Sequence, residues 1–241
     1  KDPPQTTIVR SKLPHWSWGE LSKGYYDHRV PWGFGHTLVA IDLSTKKIVW
    51  RHRSGKPIDS RAMVMGGGKV FIYSPDERLL ALDSATGEEV WANNDPELRR
   101  LIEQPGRGLT STPGFRTMTF SLYSPDALVF QAQTRMNVVA VSPHNGRKLW
   151  SRKKTTNNPN PLWVGDNLLV GIGERGETLA VEAASGDTLA TLNFAKQACA
   201  RLTATSDSLF CRGWPEGLTR FDRYTRKVSY NGAVRPSCND G

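Results

Sequence analysis

The sequence predicts an all-β fold, a β-propeller of four-stranded blades, and three observations support this prediction. First, one pattern occurs five times: a short apolar strand ends in Ala-x-Asp or a near variant, the chain turns, and a second strand reaches towards an aromatic residue. Second, the copies begin at Ala40, Ala81, Ala140, Ala180 and Arg220, so their starts lie 41, 59, 40 and 40 residues apart. Third, the copies carry strand patterning, and a period near 40 residues of this kind is typical of propeller blades. About four and a half blades are predicted, which would form an open arc.

The order of the elements follows this repeat. Residues 1–37 contain no copy and are predicted to be a lead-in segment packed on the propeller, whereas residues 38–241 are predicted to be the partial propeller itself. The first copy is predicted as a hairpin of residues 36–43 and 47–53, followed by a separate strand at residues 58–65. Further strands are predicted at residues 69–73, 78–83, 88–92, 117–121, 128–132, 137–141, 148–152, 162–164, 167–172, 178–182, 188–192, 200–205, 208–212, 218–222 and 227–230. The missing C-terminal blades are expected in the same polypeptide, because a propeller removes its exposed edges by closing the ring.

The 59-residue spacing indicates an insertion, residues 93–116. Asp95 is a good helix N-cap, Pro96 suits the first helical position, and Leu98 and Ile102 recur at one-turn spacing. A short helix over residues 96–104 is therefore predicted. Insertions of this length are often functional loops.

Composition narrows the function classes. A chain of 241 residues with a net charge of +9 can form one domain, and its longest apolar runs of about five residues are far short of the roughly 20 that span a bilayer. The basic residues lie in short clusters, two of which directly follow a repeat tryptophan, without aromatic residues interleaved for base stacking. These clusters favour a solvated blade rim, and a nucleic-acid partner is not predicted.

The repeat residues themselves are predicted to be structural. Gly87, Gly146 and Gly186 occupy hairpin turns that need a positive φ. A short carboxylate placed before such a turn can accept backbone N–H bonds, which is the role predicted for Asp42, Asp83 and Asp222. The periodic aromatic residues are predicted to pack between neighbouring blades; they are Trp50, Trp91, Trp150 and Tyr230, with Thr191 at the fourth copy.

The combined pattern, Ala-x-Asp-x-x-Thr-Gly-x-x-x-Trp on a 40-residue period, resembles the quinoprotein-type repeat of the PQQ-like β-propellers, over about residues 36–232. This superfamily includes PQQ-dependent alcohol dehydrogenases and the noncatalytic lipoprotein BamB. The segment from Cys199 to Gly241 is similar to large multidomain bacterial members, some with a methyltransferase domain elsewhere. The resemblance implies a ring of seven or eight blades and an extracytoplasmic location, in the periplasm or cell envelope.

Catalytic chemistry finds little support in the sequence. The resemblance implies that a catalytic member would hold PQQ with a vicinal cysteine pair, a Ca²⁺ ion and an Asp base. The three cysteines of this chain are isolated. The histidines at positions 15, 28, 36, 52 and 144 have no metal-ligand spacing. Gly171 begins a match to the dinucleotide fingerprint, but a strand follows it instead of a helix. No catalytic residue, metal site or bound cofactor is predicted, and PQQ is the one cofactor left open.

Two function classes remain. The first is a noncatalytic scaffold that presents loops, including the insertion, to a protein or glycan partner. The alternative is a PQQ-dependent oxidoreductase whose site is completed by missing blades. Cys199 and Cys238 lie 39 residues apart, almost one repeat, so a disulfide between them is predicted if the compartment is oxidising, with Cys211 as a small core residue.

Overall fold

The computed structural model describes residues 34–75, 77–102, 119–132, 137–153, 161–165, 168–171, 177–194, 202–212 and 217–232. Within these ranges the chain forms antiparallel strands in four sheets, together with one short helix. The predicted class, all-β with propeller blades, is confirmed. The chain divides into two compact units, the first comprising Lys1–Ser121 with His144–Gly146 and the second comprising Leu122–Pro143 with Arg147–Gly241.

The first sheet has five strands in the order of the sequence. They are β1 (Phe34–Ile41), β2 (Ile48–Gly66), β3 (Lys69–Ser74), β4 (Arg78–Asp83) and β5 (Glu89–Asn93), and helix α1 (Pro96–Ile102) follows them. β1 begins inside the segment that was predicted as the lead-in, the rest of which lies outside the described residues.

Strand β2 differs from the prediction. Residues 48–66 form one strand of 19 residues, where the sequence predicts two strands with a break near residue 55. Its first half pairs with β1 and its second half with β3, and the register shifts between Asp59 and Val64. A bulge keeps the strand continuous while it changes partner, because the extra residues twist and bend it locally.

The other three sheets have four strands each, again in sequence order. One contains β6 (Thr119–Tyr123), β7 (Leu128–Ala132), β8 (Asn137–Val141) and β9 (Lys148–Lys153). The next contains β10 (Leu162–Trp163), β11 (Leu168–Val170), β12 (Thr178–Glu182) and β13 (Thr188–Leu192). The last contains β14 (Thr203–Ala204), β15 (Ser208–Arg212), β16 (Leu218–Asp222) and β17 (Val228–Asn231).

The core lies along the middle strands of each sheet. All five residues of β8 are buried, and Leu79 to Leu82 of β4 are at most 2% exposed. Strands buried on both faces have continuous apolar sequences, which explains why these segments do not alternate. The edge strands alternate more and expose apolar side chains such as Val90 and Leu189.

Cys211 is buried and packs with Leu209 and Phe221, so the prediction of a small core cysteine is confirmed. Its register also agrees, since Thr203 pairs with Phe210 around the turn at residues 206–207. Cys199 and Cys238 lie outside the described residues, and the disulfide between them stays a prediction.

Candidate functional site

One edge of the first sheet carries the inserted helix. At this edge β1 begins, β3 turns into β4, and β5 ends at Asn93 before helix α1 starts. The opposite edge of the same sheet contains the tight turns before β2, β3 and β5. We call the helix-bearing edge, with the β3–β4 turn and residues 54–59 of β2, the loop edge.

Helix α1 is held to the loop edge from both of its sides. Asp95 Oδ1 accepts the Glu97 backbone N–H at 2.8 Å, as predicted for an N-cap. Leu98 and Ile102 are each 1% exposed, so their face of the helix is fully packed. Arg99 Nη1 also donates to the Pro75 carbonyl at 3.3 Å, which ties the helix to the β3–β4 turn. The helix is therefore a fixed element rather than a loosely attached one.

The outward side of α1 is charged. Glu97 and Arg100 are 70% and 72% exposed and lie 3.8 Å apart at i,i+3 spacing. Exposed pairs of this kind contribute little to stability, since solvent screens them. Their side chains are free to meet a partner's charges instead.

A cluster of polar groups around the Glu77 carboxylate lies beside the helix on the loop edge. Glu77 Oε2 accepts the Ser54 hydroxyl at 2.9 Å and the Lys56 backbone N–H at 3.3 Å. The guanidinium of Arg78 lies 3.8 Å from Glu77 Oε1. The His36 ring donates through Nδ1 to the Ser54 carbonyl at 3.4 Å. These bonds tie β1, β2 and the β3–β4 turn together.

His52 stands on β2 near this cluster. Burial, followed by the positive charge of Arg78, lowers the pKa of the His52 imidazole below its usual value. Its Nε2 atom is buried and has no hydrogen-bond partner among the described residues. Arg78 itself is paired with Glu89 at 3.0 Å. Burial and Arg78 therefore favour the neutral form of the His52 imidazole, which lies beside an ion pair.

The repeat acids have the structural role that the sequence predicts. Asp83 Oδ1 accepts the Ala85 and Thr86 N–H groups at 2.8 and 2.9 Å, and Asp42 and Asp222 cap their turns in the same way. The Ser44 hydroxyl and then two backbone N–H groups lower the pKa of Asp42 to about 2. Backbone bonds, from Thr86 and Thr225 respectively, are the largest cause of the lowered pKa of Asp83 and Asp222. Carboxylates stabilised in the charged form are poor general bases.

Side chains that could bind a metal ion are dispersed over the described residues. Over those ranges, no group of three His, Cys, Asp or Glu side chains is placed to hold a metal ion. The three repeat acids stand on separate hairpins and are engaged by their own turns. These acids therefore form no cluster of Ca²⁺ ligands within the described ranges.

The three repeat tryptophans lie against the glycine of a following turn. A Cβ placed on Gly87 would stand 2.6 Å from the Trp50 ring, and one on Gly186 would stand 2.6 Å from the Trp150 ring. Trp50 Nε1 donates to the Ser84 carbonyl at 3.0 Å, and Trp150 Nε1 donates to the Ala183 carbonyl at 2.7 Å. The stated role in blade docking stays a prediction that substitution can test.

Trp91 makes the same contact within the first unit. A Cβ on Gly146 would stand 2.5 Å from its ring, and its centroid lies 5.9 Å from that of Phe71. The neighbouring Asn93 donates through Nδ2 to the Gly146 carbonyl at 2.8 Å. The glycines of these turns are needed twice, for their positive φ of 70° to 78° and for the space that the ring occupies.

Two repeat positions need correction. Ala180 pairs with Ala190, as Ala140 pairs with Trp150, so Ala190 rather than Thr191 is the equivalent of the tryptophans. In the last sheet, Arg220 pairs with Ser229, because the bulge found in the other hairpins is absent. Tyr230 is thus shifted by one residue. It is 50% exposed, and its docking role stays a prediction.

The Glu77 cluster is the part of the loop edge that sequence reasoning missed. Ser54 and Glu77 are 23 residues apart, and their contact depends on β2 continuing past residue 53. No local sequence signal indicates this contact. Gly55 stands where the sequence predicts a break, but its φ in the structure is not positive, so the strand continues through it.

Comparison with known proteins agrees with this architecture. A family model described as "Outer membrane protein assembly factor BamB" matches residues 33–231. The crystal structure of BamB from Moraxella catarrhalis superimposes with a TM-score of 0.57 at 15% identity, covering 80% of this chain and 54% of that one. A computationally designed protein, Ika8, gives a TM-score of 0.57 at 14% identity, covering 85% of this chain and 58% of that one.

Two dehydrogenases are also similar in sequence, and the chain covers only a small part of each. The chain is 24% identical to the quinoprotein ethanol dehydrogenase of Pseudomonas aeruginosa over 66% of its own length and 23% of that protein. It is 28% identical to the 1-butanol dehydrogenase (cytochrome c) of Thauera butanivorans over 35% of its length and 14% of that protein. The chain therefore spans less than a quarter of either dehydrogenase. Since the family model matches well over half of the chain, the chain belongs to the BamB family of PQQ-like β-propellers.

Proposed function

We propose that this chain is a noncatalytic binding propeller, part of a larger extracytoplasmic bacterial protein, and that its loop edge presents helix α1 to a protein partner. The observation that carries the proposal is the helix itself. One face is anchored by Leu98 and Ile102, while Glu97 and Arg100 are left exposed on a rigid support. A charged helix that is already ordered loses little conformational entropy on binding.

The chemistry of the repeat also supports a noncatalytic role. Each conspicuous acid of the described hairpins caps its own turn and is held in the charged state. The family description, which names an outer-membrane assembly factor, supports the extracytoplasmic location. None of the described helices has the length and apolar character needed to cross a membrane.

A charge reversal on the helix tests this proposal. The variant Glu97→Lys/Arg100→Glu keeps the helix and its buried face but reverses the exposed pair. Cross-linking followed by mass spectrometry, on envelope extract of the producing cells, should recover one protein with the unaltered chain and at least about tenfold less of it with the variant. The control Lys46→Glu/Lys47→Glu alters exposed charges on the opposite edge and should retain full recovery. Equal recovery by all three proteins would contradict the proposal, and recovery of a glycan alone would replace the protein partner.

The alternative is a quinoprotein-like oxidoreductase completed by further blades. The names of the two dehydrogenase relatives favour it. Alcohol oxidation with a dye acceptor, measured on the full-length protein after addition of PQQ and Ca²⁺, decides between the two functions. Turnover that depends on PQQ would establish the enzyme and overturn the noncatalytic role.

A further inference from the structure

Three hairpins of the chain follow one rule. In each, an Ala on one strand pairs with a Trp on the next, as in Ala140 with Trp150. The ring lies on a turn glycine of a following hairpin, for example Gly186. Where the bond is described, the indole N–H donates to the carbonyl of the residue directly after the turn acid, such as Ala183 after Glu182. The ring, the glycine and the carbonyl form one indole slot.

The fourth hairpin departs from this rule, and so does the turn of the last sheet on which its ring would lie. Ala190 occupies the register position of the tryptophan, so no ring is present. At the turn of the last sheet, the position of the glycine is held by Arg226, with a φ of 57°. A side chain at that turn is compatible only with an absent ring, because a Cβ at the equivalent Gly186 would stand 2.6 Å from Trp150. The slot here has lost its internal indole and gained a cation.

A cavity of about 270 Å³ lies at this place, within the second unit. Its apolar wall comes from both sheets that flank the missing ring, and includes Val170, Ala190, Leu192, Leu209 and Phe221. Val170 and Leu209 are each 1% exposed, so this inner part of the cavity wall is apolar and shielded from solvent. Apolar cavities of comparable size bind small aromatic molecules.

The remaining described lining residues are Arg223, Tyr224 and Arg226, and none of the described residues that line the cavity is acidic. Tyr224 is 78% exposed, which places these three at the mouth. Within the part of the chain that the structure describes, neither arginine forms an ion pair; Arg223 Nη1 donates to the Ser206 carbonyl. The nearby carboxylate of Asp222 is occupied by Arg220 at 3.2 Å and by its own turn. The mouth is therefore cationic.

We propose that this cavity binds a small planar aromatic carboxylate, about the size of indole-3-acetate, whose ring occupies the slot left by the missing tryptophan and whose carboxylate pairs with the two arginines. Arg223 directly follows the turn acid Asp222, as Ala183 follows Glu182. Its backbone carbonyl is therefore the acceptor for a ring N–H that corresponds to the Ala183 carbonyl. A guanidinium matches a carboxylate with two parallel hydrogen bonds, which accounts for the anionic group. The volume is slightly below that of drug-sized pockets, which limits the ligand to one or two fused rings.

The first experiment is a titration of the 241-residue chain with indole-3-acetate, followed by calorimetry and by saturation-transfer NMR. Binding is expected in the micromolar to millimolar range, and indole without the carboxylate should bind about tenfold more weakly. A chain that shows no binding at 10 mM indole-3-acetate would overturn the proposal. Equal affinity for indole would overturn the role of the arginines.

The decisive variant fills the slot with a tryptophan side chain. Ala190→Trp/Arg226→Gly rebuilds the arrangement of the other three hairpins, so it should abolish binding and raise the melting temperature. The matched control Thr191→Trp places the same ring on the adjacent exposed residue and should keep binding. If the double variant does not fold, Ala190→Met fills part of the cavity and should weaken binding at least about tenfold. Unchanged affinity in a folded Ala190 variant would contradict the location of the site.

Discussion

Trp150 and Gly186 offer a quantitative test of the packing of repeat tryptophans on turn glycines. Trp150 is only 9% exposed, packs in an apolar cluster with Val181 and Leu169, and donates Nε1 to the Ala183 carbonyl at 2.7 Å. Replacing it with Ala removes a large buried ring and leaves a cavity, which costs about 3–5 kcal/mol. The lost hydrogen bond accounts for roughly 1 kcal/mol of this sum. Urea denaturation followed by circular dichroism measures the loss.

The glycine provides the second half of the test. Gly186→Ala forces a non-glycine residue to φ +78°, at a cost of about 1–2 kcal/mol. It also places a Cβ 2.6 Å from the Trp150 ring, and such overpacking costs about 1–3 kcal/mol more. In the Trp150→Ala background only the backbone cost remains. The two substitutions should therefore be coupled by about 1–3 kcal/mol in a double-mutant cycle.

Gly68 is the matched control for the backbone cost. Its φ is +72°, yet nothing lies within 4 Å of a Cβ placed there. Gly68→Ala should cost about 1–2 kcal/mol and show no coupling to Trp150. A loss of unfolding free energy below about 1 kcal/mol for Trp150→Ala would contradict this packing. Equal losses for Gly186→Ala and Gly68→Ala in the unaltered chain would contradict it as well.

Three further predictions concern an acid, the helix and the cysteines. The folded pKa of Asp42 is lowered to about 2, so its stabilising effect is complete above the ordinary value of 3.8 and is lost as the pH falls towards 2; the difference in melting temperature between the chain and Asp42→Ala should accordingly be present at pH 7 and shrink between pH 4 and pH 2. Leu98→Ala should destabilise the chain by about 2–5 kcal/mol in urea because Leu98 is fully buried, whereas Glu97→Ala should change it by less than about 0.5 kcal/mol. Peptide mapping without reduction should find Cys199 joined to Cys238; complete alkylation of both in the oxidised protein would show that no bridge forms.

Much of the fold was predictable because local rules determine each hairpin. The Ala-x-Asp turns, the strand pairs and the N-cap at Asp95 depend on residues within ten positions of each other. The positive φ of Lys46 and Arg226, 59° and 57°, shows that the turn geometry persists even where glycine is lost. The predicted turns therefore stand at the expected places.

What the sequence could not reveal depends on register and on neighbouring sheets. Thr191 was aligned with the tryptophans, but the register of the fourth hairpin, with the same bulge after its Ala, makes Ala190 the equivalent position. A shift of one residue in a strand reverses the side chain's face, so a small error in count changes which sheet a residue meets. At the last copy the bulge is absent, which moves the position equivalent to the tryptophans one residue back from Tyr230, to Ser229.

The loop edge was predictable in part. The helix and its buried positions follow from one-turn spacing, and Leu98 and Ile102 are indeed buried. The Glu77 cluster was not predictable, because Ser54 reaches it through a strand that the sequence pattern divides in two. A polar contact between distant residues has no periodic signal in the sequence.

The continuous strand β2 has a consequence for how the chain can be dissected. Its two halves belong to different hairpins, and residues 54, 58 and 59 between them are buried. A cut or an insertion there would expose buried backbone and break pairings on both sides. The first two repeat copies should therefore open and close as one cooperative block in hydrogen exchange, with no protease-sensitive seam at residue 55. Anyone who divides this array into single-blade fragments should keep residues 34–93 together.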